Sequence, residues 1–129
     1  MKDISSTIFL GLFGFGKPKD PDAPSKPKAR NISAAEAKAI MDKGEPYKLV
    51  DVRTGGEFSE GHIKGAILIP VDEIESRAQA KLPDKDTVIL VYCASGGRSS
   101  RAAKILAGMG YTNINNFGGI MGWPYGTVR

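Results

Sequence analysis

The run Thr87–Tyr92 (TVILVY) constrains this chain more than any other stretch. Six consecutive apolar or β-branched residues leave no face for water, so the segment reads as a strand buried on both faces. Such a strand needs a covering layer on each side of its sheet, and the surrounding sequence supplies one by alternating strand-like and helix-like segments. Ser33-Ala34-Ala35-Glu36 is a capping box that opens a helix ending before Gly44. Tyr47–Val52 (YKLVDV) reads as a strand, and Ala66–Ile69 (AILI), between Gly65 and Pro70, as another. Val71–Lys81 reads as a helix stopped before Pro83. Arg98–Met109 reads as a helix with Ala102, Ile105, Leu106 and Met109 along one face and Gly108 or Gly110 at its end. Asn113–Phe117 reads as a final strand. Strands alternating with helices predict an α/β protein, a parallel sheet covered on both faces whose ligands bind at the carboxyl ends of the strands.

The first 30 residues follow different rules. Residues 4–16 (ISSTIFLGLFGFG) are apolar and punctuated by glycine. They are too few to span a bilayer and lack the basic start and small-residue cleavage site of a signal peptide. A poorly ordered N-terminus is expected, with a short interfacial anchor or partner-docking segment as the alternative. Residues 17–30 (KPKDPDAPSKPKAR) hold four prolines and seven charges and read as a semi-extended linker. The expected organisation is therefore residues 1–30 as an apolar terminus plus flexible linker, and 31–129 as one folded domain. The net charge of +4 has little to do with the domain: residues 1–30 hold six basic and three acidic side chains, leaving 12 and 11 for the rest. No concentrated basic face follows, which argues against a nucleic-acid partner. One cysteine and one histidine exclude an internal disulfide, a CxxC pair and a cysteine-rich metal site. A reducing, cytoplasmic location is expected, with membrane association or export through the apolar N-terminus as the alternative.

The lone cysteine, Cys93, directly follows the buried strand, and Ala94-Ser95-Gly96-Gly97-Arg98-Ser99 leads from it into a helix. A lone cysteine is ordinarily an inert small hydrophobe. This one stands at a strand's carboxyl end beside a helix N-terminus, where backbone N–H groups and the helix dipole favour a thiolate. Small residues at Ala94, Gly96 and Gly97 let the chain curl so that several N–H groups face inward as an anion nest. Ser95 and Ser99 offer hydroxyl donors. Arg98 supplies a fixed charge for an anionic substrate or for one of the carboxylates near Cys93.

Cys93-Ala94-Ser95-Gly96-Gly97-Arg98-Ser99 resembles the active-site loop of the rhodanese family, Cys-x-x-Gly-x-Arg-Ser. Asp51-Val52-Arg53 with Glu57-Phe58 resembles the family's Asp-x-Arg…Glu-Phe segment. Gly61-His62-Ile63-Lys64-Gly65-Ala66 with Pro70 resembles its Gly-His-Ile-x-Gly-Ala…Pro stretch, and Gly110-Tyr111 with Gly118-Gly119-Ile120…Trp123 its closing motif. The likeness runs from about Ile32 to Trp123. It implies a three-layer α/β/α fold around a central, mostly parallel five-stranded sheet. It also implies a sulfurtransferase that takes sulfane sulfur from thiosulfate or a persulfide onto Cys93 and passes it to a thiophilic acceptor such as cyanide or a protein thiol. Residues 94–99 are thus expected to cradle the anion, Asp51 and Arg53 read as ion-paired groups that support the loop, the resemblance places His62 among structural residues, and Trp123 and Tyr125 read as aromatic packing after the last strand. Neither a metal nor an organic cofactor is expected, and the expected state is a monomer.

Two features qualify that expectation. Many thiosulfate-using members carry a basic residue immediately after the cysteine, where this chain has Ala94, so a protein or low-molecular-weight persulfide is an alternative donor. The related phosphatases resemble Cys-x5-Arg, seven residues, whereas Cys93 to Arg98 spans six and Ser99 stands where the arginine would be. The shorter loop suits one sulfur atom better than a tetrahedral phosphate, and thiol-relay arsenate reduction would need further cysteines. A non-enzymatic docking module using the tail at Ile8–Phe15 is the reading from a different class. The retained nucleophile and loop glycines argue against it.

Overall fold

Five strands and four α-helices alternate along residues 28–129, the part of the chain that the computed structural model describes. The strands are β1 (Ala29–Asn31), β2 (Tyr47–Asp51), β3 (Ile67–Leu68), β4 (Val88–Cys93) and β5 (Ile114–Gly119). The helices are α1 (Ala34–Asp42), α2 (Gly55–Glu60), α3 (Ile74–Lys81) and α4 (Gly97–Gly108). The sheet order is β1-β5-β4-β2-β3, and every pairing in it is parallel. β4 therefore lies at the centre, flanked by β5 and β2.

The sequence of β4 explains its place. Ile89, Val91 and Cys93 point to one face and join Ile74, Ala78 and Leu82 of the α3 region with Ala102, Ala103 and Leu106 of α4. Leu90 and Tyr92 point to the other and join Ala37 of α1, Leu49, Ile63 and Phe117. Ile89, Leu90 and Val91 are all fully buried, and each contributes about 1.5–3 kcal/mol relative to an exposed side chain. This two-sided burial is the three-layer α/β/α arrangement expected from TVILVY.

Element ends differ from the sequence reading in instructive ways. The sheet begins at Ala29, before the expected domain start at Asn31. Ala29 and Arg30 follow a proline-rich stretch and carry no strand signal. They are held by pairing with β5, including the Ile114 N–H to the Lys28 carbonyl at 2.9 Å. The expected helix over Val71–Lys81 divides into a 3-10 turn, Val71–Glu73, and α3. The strand expected at Ala66–Ile69 shortens to two residues. Helix α2 escaped the sequence reading because six residues beginning with two glycines carry no apolar period, yet Thr54 and Glu57 close a full capping box at its start. The apolar segment at 4–16 and nearly all of the linker lie outside the described residues. Among the described residues no helix is long and apolar enough to cross a membrane.

Candidate active site

Strand β4 delivers Cys93 to the carboxyl edge of the sheet, where the chain turns through Ala94–Gly96 into α4. Gly96 makes that turn with φ of 117°, a left-handed conformation that strains any residue with a Cβ. The turn brings the Gly96 N–H to 3.0 Å from Sγ, and Ser99 Oγ lies 3.5 Å from Sγ. The backbone of Ser95 and Ser99 also favours charge on the same sulfur. Cys93 is only 1% exposed, and burial, the largest single influence, pushes its thiol up. The Ser99 hydroxyl and the Ser99, Gly96 and Ser95 N–H groups together outweigh burial and hold Cys93 below its ordinary value. The arrangement favours negative charge on sulfur.

Ser99 is fully buried and sits in its own network. Its Oγ lies 2.8 Å from Asn116 Oδ1, 3.1 Å from the Gly96 carbonyl and 3.1 Å from the Gly118 carbonyl. The Gly118 N–H donates to Asn116 Oδ1 at 3.0 Å, and Asn116 Nδ2 donates to Asn31 Oδ1 at 3.3 Å. The serine hydroxyl has one proton and several acceptors, so it can turn from these oxygens to a thiolate when Cys93 ionises.

The remaining loop residues are placed unevenly. Ala94 is half-buried, and its carbonyl accepts from the Met121 N–H at 3.2 Å. Ser95 is exposed, and it is its backbone, in contrast to the hydroxyl donor expected, that favours charge on Cys93. Gly97 is the exposed first residue of α4. Arg98 Nη1 and Nη2 donate to Glu57 Oε1 and Oε2 at 2.7 and 3.0 Å. Of the two partners open to Arg98 in the sequence, a carboxylate holds it, and that carboxylate is Glu57. The bidentate guanidinium first, then the Thr54 N–H, hold Glu57 down to about 2.

Asp51 and Arg53 form a buried ion pair at the end of β2, 0% and 6% exposed, with Arg53 Nη2 2.7 Å from Asp51 Oδ2. Arg53 also donates to the Gly61 carbonyl at 2.7 Å. Tyr92 supports the same corner, its hydroxyl accepting from the Ile63 N–H at 3.0 Å. Burial, and next the Asp51 carboxylate, push that phenol well above its ordinary range. His62 stacks on Phe58 with ring centroids 3.7 Å apart and pairs its backbone with Val128. Trp123 packs between Phe117 and Tyr125. Among the described residues no three His, Cys, Asp or Glu side chains gather closely enough to hold a metal ion.

Three residues of this region were given no site role by the sequence, although Glu57 and Gly119 stand in the motifs that carry the resemblance. Glu57 was legible as part of Thr54-x-x-Glu57, a capping box. Asn116 was marked only by polarity inside a strand. Gly119 shows its reason in space: it pairs with Cys93 across β4 and β5, and a Cβ there would collide with the Ala94 carbonyl and the Ser95 nitrogen. Gly119→Ala is therefore expected to push the 94–95 peptide out of place, cost about 1–3 kcal/mol and slow alkylation of Cys93 by iodoacetamide. Thermal unfolding and alkylation rates check both effects, and an unchanged alkylation rate would exclude the tight contact.

The family model for the rhodanese-like domain matches residues 33–124, from the cap of α1 to just beyond Trp123. The chain belongs to this family. The rhodanese domain here is 41% identical over 71 residues to thiosulfate sulfurtransferase PspE of Escherichia coli, covering 55% of this chain and 68% of the relative. It is 34% identical over 94 residues to the putative sulfurtransferase YtwF of Bacillus subtilis, covering 73% of this chain and 89% of that one. Among solved structures, a rhodanese with anions from E. coli superposes with a TM-score of 0.62 at 36% identity, covering 65% of this chain and 99% of the other.

Proposed function

We propose that this rhodanese domain moves one sulfane sulfur from a donor to a thiophilic acceptor through a persulfide on Cys93. The chain is a rhodanese-type sulfurtransferase. The observation that carries the site assignment is the sulfur of Cys93 held by the Gly96 N–H at 3.0 Å and by Ser99 at the mouth of α4.

The two half-reactions balance without a redox partner. With thiosulfate, the Cys93 thiolate attacks the outer sulfur, the S–S bond of the donor breaks, and its electron pair leaves on sulfite. With a persulfide donor the leaving group is a thiolate, which takes the proton of the outer sulfur. The charge that started on Sγ now rests on the outer sulfur, close to the N–H groups of the loop, which stabilise it as they did the thiolate. An acceptor then attacks that outer sulfur. Cyanide departs as thiocyanate, a thiol as its persulfide, and the Cys93 thiolate returns. Residues 94–99 cradle the anion chiefly through the backbone. Asp51 and Arg53 position the neighbouring corner, and the catalytic unit acts as a monomer with a small donor anion or persulfide and a thiol acceptor. Residues 28–129 contain every group this chemistry uses. The six-residue loop from Cys93 to Arg98 supports this reading over phosphoryl transfer.

The test is intact mass after incubation with thiosulfate and, separately, with glutathione persulfide, for wild type and Cys93→Ala. One added sulfur in wild type only, discharged by cyanide, is the expected result. No added sulfur from either donor would overturn the proposal in favour of a docking module.

A further inference from the structure

We infer that Glu57 is a specificity-determining residue that turns this site away from dianionic donors such as thiosulfate and toward persulfides. The inference rests on the sulfurtransferase reading and deepens it. Arg98 is the one cation within the loop 93–99, and Glu57 grips both of its terminal nitrogens, at 2.7 and 3.0 Å. The geometry is the one an anionic substrate would need, and the carboxylate already fills it. Arg53, which lines the cleft that Glu57 also faces, is committed to Asp51 at 2.7 Å. Residue 94, next to the nucleophile, is an alanine. Glu57 and Glu60 both line an open cleft of about 400 Å³ with Arg53, Gly61, Ile120 and Thr127. The two arginines are thus neutralised pairwise, Glu60 adds a second carboxylate to the cleft that Glu57 lines, and Cys93 itself is to be a thiolate. A thiosulfate dianion meets repulsion on approach and must displace Glu57 to use Arg98. A persulfide, neutral or singly charged at its sulfurs, needs only the loop N–H groups.

Glu57 has a second task, accepting from the Thr54 N–H at 3.0 Å to cap α2. Glutamine at that position keeps a carbonyl oxygen for the cap and removes the charge, so Glu57→Gln separates specificity from folding. The experiment measures kcat and KM of the whole chain at low ionic strength with thiosulfate and with 2-hydroxyethyl persulfide, cyanide being the acceptor for both. For Glu57→Gln, kcat/KM for thiosulfate relative to the persulfide is expected to rise about tenfold, because the extra charge on the dianion feels the removed carboxylate most. The change should lie in the thiosulfate KM, and thermal unfolding should match wild type. Adding Arg98→Met should return the donor ratio to the wild-type value or below. A ratio that rises less than threefold overturns the inference, as does a gain that survives loss of Arg98. If wild type takes sulfur from neither donor, the sulfurtransferase reading falls too; uptake with an unchanged donor ratio removes this inference alone.

Discussion

A chain carrying Cys93→Ser is expected to keep its fold and lose turnover with every sulfur donor by at least about 10³-fold. Serine fills nearly the same space and its oxygen can still accept from the Gly96 N–H, so the change in stability should stay within about 2 kcal/mol. The chemistry does not survive, because an alcohol is not ionised near neutral pH and cannot hold a sulfane sulfur. The wild-type pH profile is the companion measurement. The thiolate is the reactive form, and it accumulates as pH rises through the Cys93 pKa, which the loop holds below the ordinary value for a cysteine. Iodoacetamide alkylation of wild type should therefore reach its plateau at a lower pH than alkylation of a free cysteine does. A free cysteine titrates near about 8.5, so a profile that still climbs steeply above pH 8 would show that burial, and not the Gly96 and Ser99 donors, sets the state of the sulfur. Residual turnover in Cys93→Ser within tenfold of wild type would move the sulfur carrier elsewhere.

Much of this site was legible because the informative signals were local. TVILVY is buried on both faces whatever surrounds it, and a cysteine at the end of such a strand, followed by small residues and a helix, lands at the carboxyl edge of the sheet. The parts that were not legible depend on partners distant in sequence. Arg98 is 41 residues from Glu57, and nothing in either segment says that the two meet. Ser95 and Ser99 look equivalent in the sequence, but one turn of backbone buries Ser99 beside the sulfur and leaves Ser95 in solvent. Strand β1 has almost no propensity of its own and exists because β5 offers an edge. Gly119 needed the sheet register to show its purpose, since its neighbour is a carbonyl 25 positions earlier. Local pattern thus placed Cys93 at the carboxyl edge of the sheet, while the charge balance around it came from tertiary contacts.

The same contrast governs the buried pair beside the loop. Asp51→Ala is expected to destabilise the domain by about 3–5 kcal/mol, because it strands the Arg53 guanidinium, 6% exposed, without a counter-ion. Asp51 accepts from the Arg53 backbone N–H at 2.9 Å and from Arg53 Nε and Nη2 at 3.0 and 2.7 Å, so the loss includes hydrogen bonds as well as charge. Against a total stability of about 5–15 kcal/mol for a domain, that is a drop in melting temperature on the order of 15 °C or more. The double replacement Asp51→Leu with Arg53→Met removes both charges and keeps apolar volume, so it should recover most of the stability. It should also still load sulfur on Cys93, since neither side chain bonds to Sγ. Equal destabilisation in the single and double variants would mean that the pair contributes through packing and its bond to Gly61 rather than through mutual neutralisation. A double variant that folds but takes no sulfur would instead move Arg53 from support of the loop to contact with the substrate.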